Sequence, residues 1–359
     1  MSAIENHFPH DYREARHAFI AAAEANDLGV TSRLHPSEKG ADGKPLFLDT
    51  ATIGARDAKT ALLLISGTHG VEGYFGSGVQ TGLLREGLAQ RAPRGAKIVL
   101  LHALNPYGFS WDRRVNEDNA DINRNFPDFK NPPKNDAYDE LREAIELTGL
   151  SREAMKAANA VLRAYSDKHG AFKLQEAISA GQYRHPHGVY FGGQRASWSH
   201  LMLKDVFREE LKGVSRLVAI DFHTGLGESG AAEMITEDLP GSDAYKRASA
   251  MWGNVQSSEA GESLSPPLQG TVDQAVTQWM KGKELTFAAL EVGTKPTRDV
   301  FTAIRRDNWL HQNAQPNDPD WPGVKREIRD AFYVDTPEWK HSVWDHAIKA
   351  VNAALAAIA

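Results

Sequence analysis

His69 and Glu72 stand three residues apart in the stretch 63–73, LLISGTHGVEG, with Gly67, Gly70 and Gly73 around them. Neutral imidazole and carboxylate together suit a divalent transition metal, zinc first. A His-x-x-Glu spacing on its own recurs by chance and proves little. Here it follows an apolar run, Ala61, Leu62, Leu63, Leu64 and Ile65, which reads as a buried strand of a parallel sheet. Ligands bind just beyond the carboxyl ends of such strands, and glycine there permits a tight turn. Two later apolar runs end in similar groups: 216–222 (RLVAIDF) stops at His223, and 285–292 (LTFAALEV) carries Glu291. Strand ends of this kind converge on one crevice. His69, Glu72 and His223 then make a donor set of two histidines and one glutamate, which leaves zinc an open position for water or substrate. Zinc in such a site brings the pKa of its water towards ~7, and a base must still take the proton and return it to the leaving group. Glu291 is placed for that role. Its apolar neighbours Phe287, Leu290 and Val292 favour a raised pKa by desolvation, which a metal's charge opposes.

A second concentration of polar groups lies at 111–126, WDRRVNEDNADINRNF, with three arginines and four asparagines. Arginine presents a planar fork that pairs with a carboxylate and stabilises a developing oxyanion, and asparagine beside it adds a neutral donor. An anion-binding loop is the functional reading, against a solvated surface loop laced with salt bridges.

The elements that must position these groups follow from hydrophobic periodicity. Residues 11–26 have helical spacing at Ala15, Phe19, Ile20 and Ala23, while 46–53 (LFLDTATI) alternates as a strand. Residues 74–89 read as a helix, and 97–103 (KIVLLHA) as a buried strand that stops at Asn105-Pro106-Tyr107-Gly108. Between about 136 and 211 the pattern is helical, interrupted at 181–193 (GQYRHPHGVYFGG); 339–358 is an amphipathic helix. Strands separated by helices predict an α/β fold with a mostly parallel, mixed central sheet covered on both faces. With no internal repeat and no Gly/Ser linker, one domain over 1–359 with a helical insertion at 136–211 is expected, and the Pro/Asn/Asp-rich patch at 313–322 reads as a surface loop. His185 and His187 read as a hydrogen-bonded loop pair, with a second metal site as the lesser reading, and His102 as a core residue; a place on the site rim is only the lesser reading of Tyr190 with Gly192-Gly193.

The bulk composition excludes several classes. A formal net charge of −6 supplies no basic excess to neutralise phosphates, so no nucleic-acid partner is expected. The absence of cysteine removes disulfides, thiolate zinc sites and cysteine nucleophiles. No apolar run approaches the ~20 residues that span a bilayer, and the opening MSAIENHFPHDYREARHAF lacks a basic start and apolar core. A cytoplasmic protein without membrane association is expected, with oligomerisation left open.

The order and wording of these motifs resemble the zinc carboxypeptidases, a superfamily that also contains succinylglutamate desuccinylase and aspartoacylase. His69 and Glu72 match its first metal motif, Asn105-Pro106-Tyr107-Gly108-Phe109 its Asn-Pro turn, and Asp121-Ile122-Asn123-Arg124-Asn125-Phe126 its Asp-x-Asn-Arg-Asn-aromatic motif. His223 in DFHTG and Glu291 in ALEVGT match the third ligand and the catalytic glutamate. The wording is most similar to a bacterial branch of unknown function. The resemblance implies one zinc ion per chain on His69, Glu72 and His223, with Glu291 as general base and acid. It also implies that Asn123 and Arg124 hold the substrate's free carboxylate and that Asp121 orients the imidazole of His69. Arg114 is similar to the family's oxyanion-stabilising arginine, with Arg113 adjacent. A tyrosine that closes over the substrate in the family's peptidases has no match, because Gly270-Thr271-Val272-Asp273 contains none. The aromatic residue that many of those peptidases carry just after the third ligand is also missing from His223-Thr224-Gly225.

The expected activity is zinc-dependent hydrolysis of an amide bond next to a free carboxylate, on a small peptide or an N-acyl amino acid. Carboxypeptidase chemistry leads. An aspartoacylase-like deacylase with the same mechanism and a non-catalytic metal- or ligand-binding protein are the alternatives. A serine hydrolase is disfavoured because Gly227-Glu228-Ser229-Gly230-Ala231 lacks the last glycine of a nucleophile elbow. Cobalt, manganese and nickel also suit the donor set.

Overall fold

The continuous apolar runs become the centre of one eight-stranded sheet in the computed structural model, which describes residues 4–359. Residues 1–3 of the stretch read for a leader lie outside the described residues. The strands are β1 (Val30–Lys39), β2 (Pro45–Gly54), β3 (Thr60–Ile65), β4 (Ala96–His102), β5 (Arg216–Thr224), β6 (Ala232–Thr236), β7 (Val255–Ser257) and β8 (Glu284–Val292). Their order across the sheet is β1-β2-β4-β3-β5-β8-β6-β7. The four central strands β4, β3, β5 and β8 run parallel. Antiparallel pairings join β1 to β2, β2 to β4 and β6 to β8. The fold is therefore α/β with a mixed sheet whose heart is parallel.

Alternate residues of β3 feed opposite cores, as a period of two requires. Leu62 and Leu64 pack with the helices Tyr12–Glu24, Gly73–Arg85 and Pro337–Ala357 on one face. Leu63 and Ile65 pack with Leu203 and Val206 of Trp198–Glu209 and Val276 of Val272–Trp279 on the other. A third core joins the helices Asp136–Ile145, Arg152–His169 and Ala171–Ser179 to Thr297–Asn313 and Trp321–Phe332, beyond the carboxyl ends of the central strands. The patch 313–322 is the connection between the last two of these helices.

The helix expected over 74–89 is shorter and broken. It ends at Arg85, and Gly87 takes a left-handed φ of 82° before the short helix Leu88–Arg91. Three strands carry too weak a pattern to be read in advance. β1 lies at the sheet edge with one buried residue, β7 has three residues, and β6 follows a glycine-rich turn. Among the described residues no helix is long and apolar enough to cross a membrane.

Candidate metal centre

The parallel register brings the motif residues to one edge. β5 pairs with β3 on one side and β8 on the other, and His223 and Glu291 are direct partners across β5 and β8. After β3 the chain turns so tightly that a Cβ on Gly70 would lie 2.0 Å from the carbonyl carbon of Gly108. That contact seats the His69–Glu72 turn against the Asn105–Phe109 turn, which Asn105 Oδ1 closes by accepting from the Gly108 N–H at 2.8 Å.

His69, Glu72 and His223 are all buried, with one donor atom from each within 4.8 Å of the others. His69 Nδ1 is 2.8 Å from Glu72 Oε1, His223 Nδ1 is 3.2 Å from Glu72 Oε2, and the two Nδ1 atoms are 3.2 Å apart. The outer nitrogens each meet an aspartate: His69 Nε2 lies 3.0 Å from Asp121 Oδ1 and His223 Nε2 2.8 Å from Asp221 Oδ2. Asp221 is fixed in turn by Thr68 Oγ1, which donates to it at 2.8 Å. An imidazole that donates Nε2–H to a carboxylate presents Nδ1 as a lone pair, the arrangement that orients metal-binding histidines. Two such lone pairs and a carboxylate aimed at one point repel each other unless a cation lies between them. The donor set therefore fits a divalent cation.

The electrostatics agree. Burial works against charge on His223, but Asp221 and then Glu72 overcome it and hold the imidazole well above its usual range. Burial likewise opposes ionisation of Glu72 and Asp121; the two histidines hold Glu72 low, and Arg114 with His69 holds Asp121 low. Three carboxylates thus surround two imidazoles, and positive charge is favoured at their centre.

Arg114 lines the same cavity. Its Nε donates to Asp121 Oδ2 at 3.0 Å and its Nη1 to Glu72 Oε1 at 2.9 Å, while Nη2 lies 2.8 Å from His69 Nε2. Arginine and Asp121 thus compete for one ring nitrogen, and the tautomer with Nε2–H satisfies the aspartate and frees Nδ1. Arg113 turns away to Asp307 and Asn119. Glu291 is buried at the cavity wall, its Oε1 accepting from the Leu226 N–H at 3.0 Å. Burial first, and Glu72 second, push its carboxyl up to about 8.

The cavity has a volume of about 770 Å³, ample for a dipeptide-sized ligand. Arg124 and Asn123 form part of its wall. Arg124 is 2% exposed, yet its guanidinium donates only to backbone carbonyls: Ser179 O at 3.1 and 2.6 Å and Asn123 O at 2.7 Å. Among the described residues no carboxylate lies within ion-pair distance of it. Asn123 Oδ1 accepts from the Val272 N–H at 2.9 Å. The helices of 136–211 close the cavity with apolar side chains, Leu162, Leu174 and Ile178 among them.

The residues singled out in advance thus split. His69, Glu72, Arg114, Asn123, Arg124, His223 and Glu291 line one cavity, and Asp121 stands behind His69. His185 is elsewhere, on Asp139 at 2.7 Å, and neither it nor His187 lines the cavity. His102 is stacked on Phe19 in the core, with Nε2 on Ser77 and Nδ1 lacking a partner. Asp221 and Thr68 were missed. Asp221 lies two residues before His223, so it shares that residue's face of β5, a spacing that could have flagged it. Tyr190 holds a left-handed φ of 54° and lines the cavity, its ring centre 5.3 Å from Arg114 Cζ and 6.0 Å from Arg124 Cζ.

Residues 8–346 match the family model described as "Protein of unknown function (DUF2817)". No curated protein matches the chain by sequence. Solved structures similar to it include a metallo-carboxypeptidase from Burkholderia cenocepacia, at 12% identity, 98% of this chain and 71% of that chain covered, and a TM-score of 0.47. A carboxypeptidase A from Helicoverpa armigera has 11% identity, coverage of 95% and 74%, and a TM-score of 0.47. An aspartoacylase family protein from Mesorhizobium loti has 17% identity, coverage of 79% and 66%, and a TM-score of 0.40.

Proposed function

The chain belongs to the DUF2817 family, whose description names no function, and from that premise we propose that it is a zinc-dependent hydrolase of amide bonds next to a free carboxylate, acting on peptide C-termini. The observation that carries this reading is the convergence in one cavity of the His69–Glu72–His223 donor set, buried Glu291, and Arg124 without a carboxylate partner.

His69, Glu72 and His223 would hold a divalent ion, which would supply a Lewis acid and lower the pKa of water at the site. Asp121 and Asp221 keep both imidazoles in the ligating tautomer and orientation. Arg124 and Asn123 bind the terminal carboxylate of the substrate, which sets the scissile amide beside Glu291. Glu291 takes the water's proton and returns it to the leaving nitrogen; its burial favours the protonated form held between the two steps, and the metal's charge favours the ionised form that accepts the proton. Arg114 stabilises the developing oxyanion, and to do so it must exchange one of its contacts with Glu72 or Asp121.

The test pairs elemental analysis of wild type and His69→Ala with a hydrolysis panel of dipeptides and N-acyl amino acids. The expected result is about one zinc per wild-type chain, lost in the variant, with turnover of dipeptides. Turnover confined to N-acyl amino acids would convert the peptidase reading into a deacylase one. Zinc without any turnover would leave a binding protein, and no metal would overturn the metal centre itself.

A further inference from the structure

Among the described residues four besides glycine hold a left-handed φ, namely Asp27, Asp112, Asn119 and Tyr190, and of these Tyr190 alone lines the cavity. Aspartate and asparagine tolerate that region through short polar side chains, whereas a bulky aromatic residue there is a genuine outlier. Such a conformation persists only where its surroundings over-determine it. Here they do. The Gln182 N–H donates to Tyr190 O at 3.1 Å and the Asp121 N–H to Phe191 O at 2.7 Å. Asn125 Nδ2 donates to Gly192 O at 2.7 Å, and Asn119 Nδ2 to Pro186 O and Gly188 O, both at 3.0 Å. Asn119, Asp121 and Asn125 belong to the loop that also carries Arg114 and Arg124. One loop therefore supplies both arginines and grips the chain on either side of Tyr190.

The fixed backbone delivers an aromatic ring to both arginines of the cavity. The ring centre is 5.3 Å from Arg114 Cζ and 6.0 Å from Arg124 Cζ, within the range at which a ring quadrupole attracts a cation. Phe332, 5.9 Å from Arg114 Cζ, reaches only the first of them among the described residues. Two guanidiniums in one cavity repel, and Arg114 is among the groups that lower the pKa of Arg124. An aromatic ring offers negative potential to both without adding a charge. Among the described residues the Tyr190 hydroxyl makes no hydrogen bond, so that group does not hold the ring in place. In the proposed mechanism Arg114 gives up a contact with Glu72 or Asp121, and the ring is a contact it keeps throughout.

We propose that Tyr190 is a positioning residue for the hydrolysis: its ring, not its hydroxyl, keeps Arg114 aimed at the oxyanion and Arg124 at the substrate carboxylate. This rests on the roles given to the two arginines under the proposed function. The backbone strain at Tyr190 is what places the ring against both guanidiniums at once, and the hydrogen bonds from the arginine loop hold that strain.

The test compares wild type, Tyr190→Leu and Tyr190→Phe, each zinc-loaded and checked for metal content and for folding by circular dichroism. Kinetics on a dipeptide ending in leucine gives kcat and KM, and calorimetry gives the binding of free leucine. Tyr190→Leu should lower kcat about tenfold through Arg114, and raise KM and the Kd of leucine about threefold through Arg124. Tyr190→Phe keeps the ring and should recover each value to within about twofold of wild type. Equal losses in the two variants would transfer the role to the hydroxyl and overturn the proposal, as would wild-type kinetics in Tyr190→Leu. Should Tyr190→Leu fail to fold, Tyr190→Asn, whose side chain suits a left-handed backbone, replaces it with the same losses expected. If wild type turns over no substrate, the hydrolase reading fails and calorimetry decides the ring alone. Weaker leucine binding in Tyr190→Leu than in Tyr190→Phe then supports the ring, and equal binding overturns it.

Discussion

Arg114 and Arg124 line the same cavity, both buried, yet they are kept in opposite electrostatic company. Arg114 lies between Glu72 and Asp121, and although burial works against its charge, those two acids raise its pKa. Among the described residues the Arg124 guanidinium donates only to backbone carbonyls, and burial lowers its pKa, with Asp121 only partly restoring it. Around His69, Glu72 and His223 each charge except that of Glu291 is answered by an oppositely charged protein group. On the opposite wall, among the described residues, Arg124 has no carboxylate within ion-pair distance. Buried charges that organise a site are paired within the protein, because an unpaired one costs several kcal/mol. Charges that recognise a ligand stay open, and the ligand completes the pairing.

The largest way to break that contrast is at Glu291, which among the described residues belongs to no ion pair. As a hypothesis from its strand-end position, Glu291→Gln should lower turnover by roughly 10²–10⁴-fold while zinc stays at wild-type stoichiometry. Wild-type turnover in that variant would take the proton-transfer role away from Glu291.

The next effect should separate the arginines. Arg114→Ala takes from Asp121 the cation that acts on it most and from Glu72 one of its contacts, and removing one partner of a buried pair costs roughly 3–5 kcal/mol. We expect that loss in chemical denaturation of the chelator-treated protein, partly recovered on adding zinc. No change in stability would mean that Arg114 is not the counter-ion its contacts describe.

Arg124→Ala should do the reverse, with little change in stability and a loss of roughly 10²-fold in kcat/KM for substrates with a free carboxylate. C-terminally amidated analogues are the control. If they lose as much, Arg124 supports the fold of the wall rather than the carboxylate.

The smallest effect concerns pH. Glu237 has an ordinary value of 4.5 and burial pushes it up to about 7. Between those values the folded chain keeps a proton that the unfolded chain has released. Its contribution to stability is therefore full below pH 4.5 and is lost as pH rises through about 7. Wild type should fall in Tm by roughly 2–4 °C more than Glu237→Gln between about pH 5 and pH 8. Parallel curves for the two proteins would show that Glu237 does not hold its proton when folded.

Much of this molecule is readable from its chain alone, for reasons that differ by element. The strands β3, β4, β5 and β8 are buried on both faces, so they appear as unbroken apolar runs, and the residues at their ends stand out by contrast. Local spacing and donor chemistry are enough to single out His69, Glu72, His223 and Glu291 and to expect zinc. Composition excludes thiolate chemistry. Tertiary structure alone decides the rest. Which of Arg113 and Arg114 faces the cavity depends on a loop packed against Asp307, far along the chain. Asp221 reads as strand interior until β3 and β5 pair and put it against Thr68. Glu237 and Asp273 carry no motif, since each belongs to a different element and becomes a pair only when the N-terminus of Val272–Trp279 docks beside β6. Sequence patterns record which residues a strand or turn can carry. Whether a buried charge is matched or left open depends on what lies across the cavity, and that is set by packing between distant segments.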